Sequence, residues 1–379
     1  MNTGKRPQHP FDLVASGGHS TAERLRALHE LLLAVHPFIH RIAIALYDPA
    51  TDGLKTFASS NEGCAPLTRY EARLSEVPSL RVLADQRRSR VVHDIDIAFE
   101  GDTTHTEWLR SEGFRSSYTL PIYSHAELAG FLFVDSRDPG VFAPEVTRIL
   151  DIFGELTAQL YLVKLAAARS LIGAVRITCR MASIRDTETG MHLERMAKYS
   201  RLIARQLEYD GPPLSDEFVE YVHLFAPLHD VGKVGVPDDI LLKPGRLDHD
   251  GWTRMQGHVE LGVAMVDEIT ADLGMLTDDA AAIMRNIVGG HHERGDGSGY
   301  PLGLALDGIP IEARIVAVAD AYDALTSKRV YKQAWSHERA VEQLQQEAAR
   351  EKLDPDCVRA LLRDPQALAE IRSRFPDQG

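Results

Sequence analysis

Between Thr21 and Val35 the apolar residues Leu25, Leu28, Leu31, Leu32 and Val35 recur at helical spacing, which predicts a helix. The period then falls to two: Arg41 to Tyr47 alternates, with Ile42, Ile44 and Leu46 on one face, and predicts a strand. Asp48-Pro49-Ala50-Thr51-Asp52-Gly53 forms a turn into a second strand, Leu54 to Ser59, and Tyr118 to Tyr123 pairs with Leu128 to Asp135 across Ser124-His125-Ala126-Glu127. The expected first half is therefore α+β, an antiparallel sheet with helices. From Glu145 to about Cys179 one long helix is predicted. Val146, Ile149, Phe153, Leu156, Leu160, Val163, Ala167, Leu171, Ala174 and Thr178 lie on or near a seam. That spacing suits a parallel dimer helix, or a helix packed on its own domain; one domain feeding a second through a helix favours the dimer. The second half reads as helical, and beyond Ser336 one helix through Arg350 and two shorter ones to Arg374 close the chain.

Polar residues in this helical half carry the chemistry. His192, His229, Asp230, His258, His291, His292 and Asp320 are seven candidate metal ligands. Alone, each histidine would be an ordinary surface or hydrogen-bonded core residue. The grouping changes that reading. Glu188 and His192 stand four apart, one helical turn. His229-Asp230 ends the apolar run Val222 to Leu228, and His291-His292 follows Ala280 to Val288. Adjacent helical positions diverge by about 100°, so each doublet is expected to reach two neighbouring metals. Asp320 sits in the apolar run from Ile315, where a carboxylate needs a cation. Imidazole and carboxylate without a thiolate cluster suit first-row metals in a catalytic, multi-metal site.

The blocks Arg185-Asp186-Thr187-Glu188-Thr189-Gly190-Met191-His192, His229-Asp230-Val231-Gly232-Lys233, Leu242-Lys243-Pro244-Gly245 and His291-His292-Glu293-Arg294-Gly295-Asp296-Gly297-Ser298-Gly299-Tyr300-Pro301 resemble the HD-GYP family of bacterial cyclic di-GMP phosphodiesterases, from about Ile177 to Gln333. The resemblance implies an all-α HD-type phosphohydrolase domain with two or three divalent metals. Iron or manganese is favoured, with nickel, cobalt or zinc compatible. Family ligand positions fall on the seven residues above, with Glu188 where members hold a third metal; a helix-start glutamate favoured by the macrodipole is the other reading of Glu188. A water between two metals would attack the phosphodiester. Asp230 is then the bridging carboxylate, and Lys233 reaches a phosphate oxygen. Tyr300 presents its ring or hydroxyl to substrate. Arg329, Tyr331 and Lys332 resemble a family segment whose basic residues contact the dinucleotide phosphates. The family more often has tryptophan at Gly295 and proline at Val330; neither departure removes a ligand.

In the first half, the element order together with Ser116 to Ile122 and Gly130 to Asp135 is similar to a GAF sensory domain, covering about residues 20–158. Such domains bind small ligands or sense redox state, but no cyclic-nucleotide signature or haem ligand stands out. His36, His40, His93, His105 and His125 are expected as surface or core residues, and Trp108 as a packing residue. The expected organisation is a flexible tail over 1–19, the GAF-like domain, a helical linker over 159–179 whose helix starts near 145, and the HD-GYP catalytic domain over 180–379.

A net charge of −13 argues against a duplex nucleic-acid surface, whereas a dianionic dinucleotide needs only a local basic cluster. Three cysteines, Cys64, Cys179 and Cys357, lack metal spacing and read as reduced thiols. No apolar run of about 18 residues and no signal-peptide core is present, so no membrane contact and a cytoplasmic location are expected. Three functions remain: regulated hydrolysis of cyclic di-GMP to pGpG and on to GMP; an HD hydrolase of another cyclic dinucleotide; or a non-catalytic cyclic di-GMP sensor docking on a GGDEF-type cyclase. A homodimer through the connecting helix fits each.

Overall fold

The computed structural model describes residues 21–49, 51–63, 67, 70–99, 104–124, 126–159, 161–162, 173, 190–208, 214–273, 278–327 and 333–376. The expected tail, most of the linker beyond 162, Glu188, Arg329, Tyr331, Lys332, His125, Cys64 and Cys179 lie outside them. The chain divides into two units, Met1–Ala166 with Ser215–Glu217, and Ala167–Leu214 with Phe218–Gly379.

In the first unit α1 (Thr21–Val35), β1 (Arg41–Asp48), β2 (Gly53–Asn61), β3 (Glu71–Arg73), α2 (Pro78–Gln86), β4 (Arg90–Val92), the short helices α3 (Ile95–Ala98) and α4 (Thr104–Ser111), β5 (Ser116–Ser124) and β6 (Glu127–Ser136) follow in order. The strands form one sheet, β3-β2-β1-β6-β5-β4, with every neighbouring pair antiparallel. Ser124 pairs directly with Glu127, so the expected hairpin closes where its turn residues stand. The one-sided burial expected of β1 does not hold: six consecutive residues from Arg41 are buried. Both faces of the central strand are covered. Ala43 and Ala45 join Leu80, Leu83 and Phe133 in one cluster, while α1 lies against β1 and β2.

A further helix, α5, runs over 144–159. It approaches the sheet at Gly154, where any Cβ would stand 2.5 Å from a Leu120 methyl and 2.9 Å from one of Leu132. This contact rotates the expected seam. Val146 and Leu150 turn inward, whereas Ile149, Ile152 (66 % exposed) and Leu156 (63 % exposed) face outward.

The second unit contains α6 (Gly190–Gln206), α7 (Asp216–Phe225), 3₁₀ turns at Ala226–Leu228 and Val231–Gly235, α8 (Asp238–Leu241), α9 (His249–Gln256), α10 (His258–Leu273), α11 (Asp278–Gly290), α12 (Ile311–Thr326), α13 (His337–Ala349), α14 (Pro355–Leu362) and α15 (Pro365–Arg374). The three closing helices lie where the sequence puts them. One core, including Met196, Ile203, Phe225, Ile287, Val316, Leu361 and Leu368, joins α6, α7 and α10 to α15. Tyr199 of α6 meets Tyr322 of α12 edge-on at 5.3 Å, a geometry worth about 0.5–1.5 kcal/mol beyond burial. It locks the two helices that carry His192 and Asp320.

Candidate metal centre

Five backbone features converge. His192 lies in the first turn of α6. Pro227 sits within the 3₁₀ turn after α7, and His229 and Asp230 occupy the bend between two such turns. The second turn packs on the start of α10, where His258 stands. Gly232 makes that possible: a Cβ there would lie 1.9 Å from the His258 carbonyl oxygen and 2.5 Å from the Gly262 nitrogen. Any side chain would push Asp230 away from His258. His291 and His292 follow the last residue of α11, and Asp320 lies in the middle of α12.

Among the described residues these side chains form two groups, Asp230 with His258, His291 and His292, and His192 with His229 and Asp320. Within each, the ligand atoms lie within 4.8 Å of one another. The His229-Asp230 doublet divides between the groups, as its spacing predicts. The His291-His292 doublet does not. Both rings enter one group, their centroids 4.0 Å apart, because these residues lie past the helix end, where helical divergence no longer applies. The Asp230 carboxylate spans the interval. Its Oδ2 is 3.2 Å from His229 Nε2, and its Oδ1 is 3.1 Å from His258 Nε2 and 3.6 Å from His291 Nε2.

The opposite ring nitrogens set the tautomers. Nδ1 of His229 lies 2.9 Å from the Ala226 carbonyl, that of His258 2.7 Å from the Met255 carbonyl, and that of His291 3.1 Å from those of Ile287 and Val288. A carbonyl can only accept, so each Nδ1 carries the proton and donates. Nε2 is left with its lone pair toward the centre. The Nε2 atoms of His258 and His291 are buried and make no hydrogen bond. Burial pushes the His291 and His292 pKa values down. Both are therefore neutral and able to ligate at pH 7. Burial alone would push the Asp230 carboxyl up, but the Lys233 ammonium and the His229 and His258 rings outweigh it and hold it well below the carboxylate range. Buried lone pairs on neutral imidazoles, facing two carboxylates, are a donor set that fits first-row divalent ions.

Two residues that the sequence reading missed orient this set. Asp323, one turn past Asp320, is buried and accepts from His192 Nδ1 at 2.7 Å and from Arg195 Nε and Nη2 at 2.5 and 3.0 Å. Burial pushes its carboxyl up, yet the His192 and Arg195 donors more than compensate and hold it at about 2. Glu293, equally buried, accepts the backbone N–H groups of Leu302 and Leu304 at 2.7 and 2.9 Å. It ties the ends of the Gly-Tyr-Pro loop together.

The loop is more constrained than its glycines suggest. Tyr300 N–H donates to the His292 carbonyl at 3.2 Å, and Leu306 N–H to that of Gly295 at 3.1 Å. Tyr300 lays its ring on His292, centroids 4.6 Å apart at 30°, with Trp252 edge-on at 6.3 Å. Burial raises the phenol's pKa, so it stays protonated. Gly295 has no room for a larger residue: a Cβ would stand 2.4 Å from the Glu351 carbonyl oxygen and 3.0 Å from Leu306 Cβ. Its departure from the family pattern therefore closes this corner of the loop. Lys233, expected at a phosphate, lies with Nζ 2.7 Å from Asp230 Oδ2. Trp108 packs as expected, against Phe114 at 5.7 Å. Cys357 is a buried free thiol. No helix among the described residues is long and apolar enough to cross a membrane.

Comparison with known proteins agrees with this geometry. The HD domain family model matches residues 176–357, and the GAF domain model residues 23–160. The chain is 41 % identical over 201 residues to a probable cyclic di-GMP phosphodiesterase of Vibrio cholerae, covering 52 % of this chain and 45 % of that one. It is 42 % identical over 196 residues to the cyclic di-GMP phosphodiesterase response regulator RpfG of Xanthomonas campestris, covering 52 % and 48 %. It is 40 % identical over 193 residues to a 3'3'-cGAMP-specific phosphodiesterase 2 of Vibrio cholerae, covering 51 % and 34 %. The chain thus spans about half or less of these relatives' lengths. A GAF domain/HD domain protein of Geobacter sulfurreducens aligns at TM-score 0.31 and 17 % identity over 38 % of this chain and 93 % of its own, too slight a likeness to add to the family matches. The N-terminal half is a GAF domain and the C-terminal half an HD domain related to cyclic dinucleotide phosphodiesterases.

Proposed function

We propose that this protein is a metal-dependent phosphodiesterase that hydrolyses cyclic di-GMP to pGpG and onward to GMP, under the control of its GAF domain. The observation that carries the reading is the Asp230 carboxylate, one oxygen beside His229 of one group and the other beside His258 of the second. In this reading Asp230 would be shared between two ions, with His258, His291 and His292 holding one and His192, His229 and Asp320 the other. Glu188 serves a third ion. When bound, divalent ions supply a nucleophilic water at neutral pH and offset charge on the non-bridging phosphate oxygens. Iron or manganese is the expected occupant.

The chain's own groups do the rest. Lys233, whose ammonium pairs with Asp230, brings a positive charge to a non-bridging oxygen whose charge grows in the transition state. Tyr300 offers a ring face to guanine and a protonated hydroxyl to phosphate. Arg329 and Lys332 take the outer phosphate. The outward stripe of Ile149, Ile152 and Leu156, spaced three and four apart, supports a homodimer through α5. Docking on a GGDEF-type protein and a cytoplasmic setting belong to the same proposal.

A second reading, hydrolysis of a mixed cyclic dinucleotide, is favoured by the 40 % identity to a 3'3'-cGAMP-specific phosphodiesterase. One experiment tests both. Protein purified without oxygen is assayed for metal content, then for turnover of cyclic di-GMP and 3'3'-cGAMP with each metal. Release of pGpG is expected, and its loss together with metal in the His229→Ala/Asp230→Ala double variant. Preference for 3'3'-cGAMP would move the assignment to the second reading. Near-wild-type turnover and full metal content in the double variant would refute both.

A further inference from the structure

The GAF domain encloses a cavity of about 260 Å³ on the sheet face that carries Ala43, Thr119 and Phe133, roofed by Leu80 and Leu109. This is slightly below the ~300–1,000 Å³ of typical small-molecule sites. Its lining is mainly apolar, yet it contains two arginines and a histidine, and among the described lining residues no carboxylate. Strand pairing explains their meeting. Arg90 on edge strand β4 stands opposite Thr119 on β5, which stands opposite Phe133 on β6. Arg41 stands opposite Asp135 in the adjacent row, two residues along and so on the same face.

The charges are unequal in their compensation. Arg41 is buried in an ion pair with Asp135. Arg90 has no ion pair among the described residues; its guanidinium lies 5.5 Å over the Phe99 ring, and burial pushes its pKa down with no carboxylate opposing. Three buried polar atoms around the cavity have no hydrogen-bond partner: Arg90 Nε, Arg41 Nε and the Thr119 hydroxyl. His105 lies between Tyr70 and Phe133, ring centroids 5.7 and 5.6 Å away. Protein surrounds it, yet it keeps accessible surface, as a side chain facing an internal cavity does. Burial and then the Arg41 and Arg90 charges hold its pKa down at about 3, so it is neutral.

A desolvated guanidinium without an ion-pair partner among the described residues, beside orphaned donors, is a costly arrangement, and water can satisfy the donors but not the charge. We propose that this cavity binds a small organic monocarboxylate, its carboxylate on Arg90 and the Thr119 hydroxyl and its apolar body against Leu80, Leu109 and Phe133. Among the described residues Arg41, Arg90 and Asp135 leave one net positive charge, which selects one negative charge. A phosphomonoester, closer to a dianion at pH 7, would leave the excess unpaired in an apolar wall. The site lies wholly within the GAF domain, and carboxylate binding there is independent of which dinucleotide the HD domain takes.

The test titrates the full chain calorimetrically with benzoate, phenylacetate and hexanoate, with benzyl alcohol, benzamide and phenyl phosphate alongside, and follows thermal unfolding with each. At least one carboxylate is expected to bind and raise the unfolding temperature, with neutral analogues and phenyl phosphate at least tenfold weaker. Arg90→Met should weaken carboxylate binding at least tenfold. Without ligand it should be no less thermostable than the parent, because an uncompensated cation has gone. Should Arg90→Met fail to fold, Arg90 is a structural residue and the proposal is wrong. Thr119→Val, which keeps the shape, should weaken binding severalfold with the fold intact. Absence of binding by all three carboxylates, equal binding of the neutral analogues, or stronger binding of phenyl phosphate would also overturn it.

Discussion

Replacing Asp323 by asparagine should strip one metal group while leaving the other. The carboxylate takes three hydrogen bonds, one from His192 and two from Arg195, and is 1 % exposed. Its pKa of about 2 against an ordinary 3.8, at ~1.4 kcal/mol per unit, means that folding favours the ionised form by roughly 2–3 kcal/mol. Since the folded value is the lower one, this stability is present above 3.8 and is lost as pH falls through about 2. Asparagine forfeits it at every pH. Its amide nitrogen must also face either Arg195, donor against donor, or His192. In the second case His192 would accept at Nδ1 and carry its proton on Nε2, the atom meant for metal.

The expected cost is therefore roughly 2–3 kcal/mol of stability, a fall of about 5–10 °C in the HD domain's unfolding temperature. Affinity at the group of His192, His229 and Asp320 should fall about 10–100-fold. The assay is metal content by plasma mass spectrometry after dialysis against buffered free metal, with calorimetric unfolding on the same samples. Wild-type protein should hold at least one ion more than the variant across a tenfold or wider range of free metal. The argument is refuted if the variant folds and loads both groups within twofold of wild-type affinity. It is also refuted if a folded variant loses the Asp230 group first.

Further outcomes follow from other parts of the HD domain. Gly295→Ala should cost about 1–3 kcal/mol and lower turnover, because its Cβ would lie 2.4 Å from the Glu351 carbonyl oxygen; unchanged unfolding temperature and kinetics would show that the loop has slack. Glu312, buried on α12, has its pKa raised by burial despite the Asn286 amide at 2.7 Å. Its contribution is present below the unfolded value and lost as pH rises through the folded one, so Glu312→Gln should gain thermal stability over wild type between pH 5 and pH 8; a constant difference would contradict this. Burial raises the Cys357 thiol well above its ordinary pKa, so peptide mapping after iodoacetamide at pH 8 should find Cys357 unmodified until the protein is unfolded.

The sequence makes visible what local spacing controls. The doublet His229-Asp230 reads as two arms because consecutive residues in a helical turn diverge, and the arms do reach different groups. Spacing fails for His291-His292, since α11 ends at Gly290 and the turn beyond it follows the loop that Glu293 fastens. It also passes over Asp323, although a signal was present: His192 and Arg195 on α6 are three apart, as are Asp320 and Asp323 on α12. Matched spacings on two helices are what a ligand and its support need when the helices lie side by side, and Tyr199 against Tyr322 puts them there. The GAF cavity was hidden for a different reason. Arg90 stands in Arg87-Arg88-Ser89-Arg90, where a basic residue reads as solvated surface. Only its pairing with Thr119 across the sheet, a contact between residues far apart in the chain, turns it inward. Ligands grouped by local turns announce themselves in sequence, whereas a charge made unusual by long-range strand pairing does not, and such charges have to be sought where the folded chain leaves them without a partner.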